Sequence, residues 1–156
     1  TKAKRIELFG LGSSALATQD LRQKLHRIGM FAFDSPDNHQ AITSSALMEP
    51  GDVGIVFSHS GVTPESLEVL QIMKRSGAET VAVTNFPDSA IARQADYSLV
   101  TVAKETRYRS GAMSSRIAQL ALVDFLFVRI MQLRLESAER LLERTYLAVR
   151  GDRIQG

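Results

Sequence analysis

The chain predicts an α/β fold, a three-layer αβα sandwich around a five-stranded parallel sheet, on two observations. Five short runs of apolar and β-branched residues, at 6–9, 31–33, 53–57, 80–84 and 97–102, alternate with stretches of helical periodicity. With 156 residues, 44% of them hydrophobic, the chain can bury one core, so residues 1–156 are expected to form one domain.

Each element has a local reason. After the first run, Ala17, Leu21, Leu25 and Ile28 repeat at helical spacing and Gly29 stops the helix. The second helix follows Asp37 and runs through Ile42 and Leu47 to a turn at Pro50-Gly51. The third opens with Thr63 as N-cap and Pro64 at the first helical position, buries Leu67, Leu70 and Met73, and ends at Gly77. A short helix over 89–95 joins the last two runs.

Beyond the fifth run the rhythm changes. A loop carrying Glu105, Arg107 and Arg109 leads into a long helix over 111–133 and an amphipathic one over 136–149. On the long helix, Ile117, Leu120, Leu122, Phe125, Leu126, Phe127 and Ile130 leave little of the circumference polar. A helix lying on one sheet face needs only one apolar stripe, so a second partner is expected: a homodimer, or a higher homo-oligomer, with this helix at or near the interface.

Composition removes several functions. The absence of cysteine excludes disulfides, thiolate catalysis and thiolate metal sites. The 19 basic and 17 acidic residues are spread along the chain, so the formal charge of +2 forms no basic stripe for nucleic acid. The longest apolar stretch, 117–133, is interrupted by Gln119, Asp124, Arg129 and Gln132 and makes a poor membrane span. No signal peptide is visible before the first strand, so a cytoplasmic location is expected, and the lack of an initiator methionine suggests a piece of something longer. His26, His39 and His59 have no matched carboxylate spacing, so no metal site is expected.

Two loops carry the chemistry. In an open parallel sheet, ligands bind beyond the carboxyl ends of the strands, where strand order reverses. Gly10-Leu11-Gly12-Ser13-Ser14-Ala15 follows the first run; Ser58-His59-Ser60-Gly61-Val62-Thr63-Pro64 follows the third. Both precede helices, whose unsatisfied N-terminal amides suit a phosphate. The first loop also satisfies the loose dinucleotide fingerprint, with Asp34 placed to contact a ribose. The hydroxyl cluster of the second loop favours a phosphate monoester instead, which wants many neutral donors.

Plainer readings stand beside these. Thr63 as an N-cap contributes about 1 kcal/mol whatever else it does. Ser58 and Ser60 are ordinary turn residue types, and His59 can offer its backbone amide with the ring outward or serve as a general acid or base. His26 and His39 read as surface or capping residues. Glu105 reads as a surface carboxylate or as a site residue at the same sheet edge, and Arg107, Arg109 and Arg116 have several possible partners.

Gly10-x-Gly12-x-Ser14, Ser58-x-Ser60-Gly61-x-Thr63, and Glu105 before a Ser-rich helix start, in this order, resemble the sugar isomerase (SIS) domain over nearly the whole chain. The resemblance implies a flavodoxin-like SIS fold that binds a phosphosugar. Ser58, Ser60 and Thr63, with the amides of His59 and Gly61, would hold the phosphate; Ser14, in the loop of Gly12 and Ser13, would contact the sugar. Glu105 would stand where isomerases of the family place a catalytic carboxylate.

Within that family, Glu49-Pro-Gly-Asp52, Ala95-Asp96 and the segment from Glu105 through Arg109-Ser-Gly-Ala-Met-Ser-Ser-Arg116-Ile-Ala-Gln look like effector domains of RpiR-type transcriptional regulators. Such regulators carry an N-terminal helix-turn-helix domain, so DNA would be met only through a part not in this chain. The His-Gly-Asp segment of arabinose-phosphate isomerases is replaced by Leu47-Met-Glu-Pro-Gly-Asp52, and neither histidine nor lysine occurs after Lys104. The expectation is therefore a cofactor-free sensor of a sugar phosphate or phosphorylated sugar acid, without membrane contact. The alternative is an aldose-ketose isomerase using Glu105 and His59.

Overall fold

The computed structural model describes residues 3–105 and 112–151. Its elements run β1 (Ile6–Gly10), α1 (Ser13–Arg27), β2 (Ala32–Asp34), α2 (Asn38–Ala46), β3 (Val53–Phe57), α3 (Pro64–Arg75), β4 (Glu79–Thr84), α4 (Ala90–Gln94), β5 (Tyr97–Val100), α5 (Met113–Leu133) and α6 (Leu135–Gly151). All strand pairs are parallel, in the order β2-β1-β3-β4-β5. Arg107, Arg109 and Gly111 of the expected loop and helix start lie outside the described residues.

Alternation along the strands divides the core into two layers. Ile6 and Leu8, Ile55 and Phe57, and Val83 face α1, where Ala17, Leu21 and Leu25 meet them, backed by Val123 of α5 and Ala138 of α6. Phe9, Val56 and Ala82 face the other way, onto Ala41 of α2, Val69, Leu70 and Met73 of α3, and Ile91 of α4. Gly54 makes room for Met73, whose sulfur lies 2.4 Å from where a Cβ would stand. The three-layer arrangement follows from this two-sided burial.

Helix ends follow the signals in the sequence, with one exception described below. Asp37 caps α2 by accepting the Gln40 amide at 2.9 Å. Gly29 and Gly77 leave α1 and α3 in the left-handed region, at φ 71° and 90°.

Several strand ends differ from expectation by a residue or two. β2 starts one residue late because Ala32, opposite Ile6, is the member of its run that packs inward; Phe31 and Phe33 are exposed. Phe33 is covered in part by the Arg5 guanidinium, 5.6 Å from its ring centre. β5 ends at Val100, although the Thr101 amide still bonds the Thr84 carbonyl at 2.9 Å.

Two segments noted in the sequence have structural roles. In the turn before β3, the buried Asp52 accepts the Glu49 amide at 2.9 Å. Between α4 and β5, Asp96 accepts both the Thr80 amide at 2.9 Å and the Thr80 hydroxyl at 2.7 Å. The same carboxylate pairs with Lys74 at 2.8 Å. Lys74 and the two bonds from Thr80 hold it down to about 2, below the ordinary carboxylate range.

Candidate functional site: a hydroxyl-lined cleft at the switch point

The helix following β1 lies on one face of the sheet and the helix following β3 on the other. Between these neighbouring strands the connections diverge, which opens a crevice at their carboxyl ends. The cleft there has a volume of about 540 Å³ and is lined by Gly12, Ser13, Ser14, Ser58, His59, Ser60 and Thr63, together with Leu11, Phe57, Ser66 and Ala112. Two loops separated by more than forty residues of sequence thus share one site.

The lining suits an oxyanion. Ser13, Ser14, Ser58, Ser60, Thr63 and Ser66 bring hydroxyls, and no aspartate, glutamate, lysine or arginine is among the described lining residues. No side chain caps α1 or α3, and α1 has no acidic residue in its first turn. The N-terminus of α1 therefore faces a cleft of neutral donors, and that of α3 does so with Glu65 in its first turn outside the lining.

On the first loop, Gly12 holds φ 58° and ψ −124°, a conformation strained for any L-residue with a side chain, while a Cβ there would meet nothing within 4 Å. This backbone turns Ser13 and Ser14 into the start of α1. Ser14 is buried and its hydroxyl accepts from Gln119 Nε2 on α5 at 3.1 Å. Asp34, the ribose candidate of the dinucleotide reading, pairs with Arg22 at 2.5 Å.

On the second loop, Thr63 occupies the N-cap position of α3 but its side chain makes no cap bond, contrary to expectation. Its backbone at ψ 121° continues the loop, and its hydroxyl instead meets Ser58 Oγ at 3.3 Å and Ser60 Oγ at 3.5 Å. Ser58 is buried, its amide bonded to Val83 O at 2.9 Å, which continues the strand pairing into the loop.

Gly61 does not line the cleft. At φ 67° its side-chain position points toward Ser89 Oγ, 2.2 Å from an added Cβ, and toward Thr84 Oγ1 at 2.8 Å. Its amide donates to Ser58, to the carbonyl at 3.1 Å and the hydroxyl at 3.2 Å. The glycine therefore serves the packing of the loop on the β4–α4 connection. His59 is half-buried, with its ring edge-on to Phe86 at 5.8 Å and its carbonyl accepting from Asn85 and Thr84.

Glu105 does not line the cleft either. Its carboxylate accepts the Ser115 amide at 2.6 Å, in the first turn of α5, where the helix end favours negative charge. Ala112, just before that helix, does reach the cleft. Among the described residues no group of three or more histidines and carboxylates could hold a metal, and no described helix is long and apolar enough to cross a membrane. His26 and His39 are on the surface.

Sequence reasoning missed Ser66, Ala112 and the buried Gln119. Ser66 lies three residues after Thr63 on the same helix face, a spacing visible in the sequence. The Gln119 contact joins residues 105 positions apart and had only one signal, a glutamine interrupting an apolar run.

An uncharacterized HTH-type transcriptional regulator of Caldanaerobacter subterraneus subsp. tengcongensis is 36% identical over 143 residues, 92% of this chain and 51% of the regulator. Vibrio vulnificus NanR complexed with ManNAc-6P superposes with a TM-score of 0.89 at 27% identity, covering 96% of this chain and 56% of that one. A candidate sugar-phosphate isomerase from Listeria monocytogenes gives a TM-score of 0.78 at 28% identity, over 88% of this chain and 73% of that one. The chain spans about half the length of the curated HTH-type transcriptional regulators it matches. Residues 1–129 match the SIS domain model, and with the strand order and the paired loops in place, the chain belongs to the SIS domain family.

Proposed function

We propose that this chain is the phosphosugar-binding effector domain of a longer helix-turn-helix regulator, working in the cytoplasm as a homodimer and binding its ligand without turning it over. The observation that carries this reading is a cleft whose described lining residues bring six hydroxyl side chains and no carboxylate. Aldose-ketose isomerisation moves protons, and the carboxylate nearest in the sequence pattern, Glu105, is bonded to the α5 amide of Ser115. The phosphosugar named with NanR supports the ligand class.

The dimer rests on α5. Ser115, Gln119 and Val123 face inward, whereas Met113, Ile117, Phe125 and Val128 are exposed on the other side. An apolar stripe on the outward face of a helix fits a second copy of the chain. Ligand binding would bias the relative geometry of two such copies to the extent that it favours one arrangement over the other.

A thermal-shift scan with sugar 6-phosphates and phosphorylated sugar acids tests the reading. A bound ligand at a hundred times its Kd adds roughly 2.7 kcal/mol of stability. Stabilisation by a phosphosugar and not by its unphosphorylated parent is expected; indifference to the whole panel defeats the proposal. Incubating the stabilising sugar in deuterated water separates sensing from isomerisation. Unlabelled sugar is expected, and deuterium in the recovered sugar would make the chain an enzyme.

A further inference from the structure

Gln119 is 1% exposed, yet its Oε1 has no hydrogen-bond partner among the described residues. A leucine or methionine would fill the same space between α5 and α1 without a buried polar atom, so packing does not account for a glutamine here. Its one side-chain bond among the described residues is the Nε2 donation to Ser14 Oγ, and Ser14 lines the cleft.

A serine hydroxyl has one hydrogen, and the direction of that hydrogen depends on its neighbours. When Gln119 donates, Ser14 is the acceptor and its own hydrogen is left to donate into the cleft. Were the amide turned over, Oε1 would take the serine hydrogen and Ser14 would present lone pairs to a ligand oxygen. An oxyanion or carbonyl oxygen in the cleft therefore favours one amide orientation over the other.

We infer that Gln119 is a positioning residue for the cleft: its buried amide holds the Ser14 hydroxyl as a donor toward a ligand oxygen. This rests on the phosphosugar reading above. It also gives α5 a direct connection to occupancy, since the helix carries Gln119 on its inner face and the exposed stripe on its outer one.

The test is a double-mutant cycle on sugar-phosphate affinity, measured by titration calorimetry with the panel member that stabilises the wild type most. Gln119→Met keeps volume and burial and is expected to weaken binding about fivefold, because the Ser14 hydroxyl stays but loses the bond that orients it. In a Ser14→Ala background the same change should alter affinity less than about twofold, because no hydroxyl remains to orient. Gln119→Glu, an acceptor, is expected to weaken binding more than Gln119→Met. In the wild type, the Gln119 side-chain amide NMR signals should shift on ligand addition, a readout independent of whether the variants fold. Equal losses in both backgrounds, wild-type affinity in Gln119→Met, or unmoved amide signals would overturn the inference alone. A wild type that binds no sugar phosphate would overturn it together with the phosphosugar reading.

Discussion

The Thr63 hydroxyl lies 3.3 Å from the Ser58 hydroxyl and caps nothing on the helix it precedes. Its oxygen faces the cleft and leaves the helix end uncapped, which suits the ligand role proposed above. Thr63→Val should therefore cost well under the roughly 1 kcal/mol of an ordinary cap loss in urea unfolding. The same variant should lose at least half of the stabilisation by a sugar phosphate, and Thr63→Ser should keep both. A large stability loss in Thr63→Val would show that the hydroxyl supports the fold.

Gly61 presents the opposite balance. A methyl group there would lie 2.2 Å from Ser89 Oγ and 2.4 Å from its Cβ, at a φ of 67°. Gly61→Ala should destabilise the protein by about 2 kcal/mol or more, from collision and backbone strain together. Adding Ser89→Gly should recover part of that loss and leave the strain, a result that chemical denaturation can resolve.

Asp96 sets an acid limit. Its folded value of about 2 lies below the ordinary 3.8, so its contribution is complete above about pH 4 and drains away as pH falls toward 2. Asp96 and Lys74 are 36% and 48% exposed, so solvent screening holds the effect of Asp96→Asn to about 1 kcal/mol at neutral pH. Unfolding curves of wild type and variant should converge between pH 4 and pH 2; a gap that is constant with pH would contradict this.

Phe125 is 71% exposed in the middle of the outward α5 stripe. Phe125→Lys should turn a dimer into a monomer in light scattering at micromolar concentration, with little change in the stability of the subunit. Wild-type protein that is already monomeric there would rule out this interface.

The five strands and the turns that carry the two loops were legible in the sequence because both follow from local patterns. Apolar runs at period 2 mark the strands, and Gly and Ser clusters mark the turns at their ends. Side-chain direction was not legible. Thr63 carries every sign of a cap, but the signs concern backbone position and do not fix where its hydroxyl turns. Ser14 lines the cleft and Glu105 does not, and the partners of both, Gln119 and Ser115, come from α5, whose packing no local pattern specifies. The shifted start of β2 has a similar cause: Phe31 and Phe33 outrank Ala32 in hydrophobicity, but Ala32 fits beneath α1.

At Gly12 the limit on substitution is one of handedness, not of room. Its φ of 58° and ψ of −124° mirror an extended conformation common to L-residues, and an added Cβ would touch nothing within 4 Å. D-alanine placed at residue 12 by chemical synthesis or ligation should fold and bind as glycine does, or slightly better, because the unfolded chain has fewer conformations to lose. L-alanine at the same position should cost about 1–2 kcal/mol. The loop beneath the cleft would then reject an L-methyl group that has open space around it, through the backbone and without a single contact.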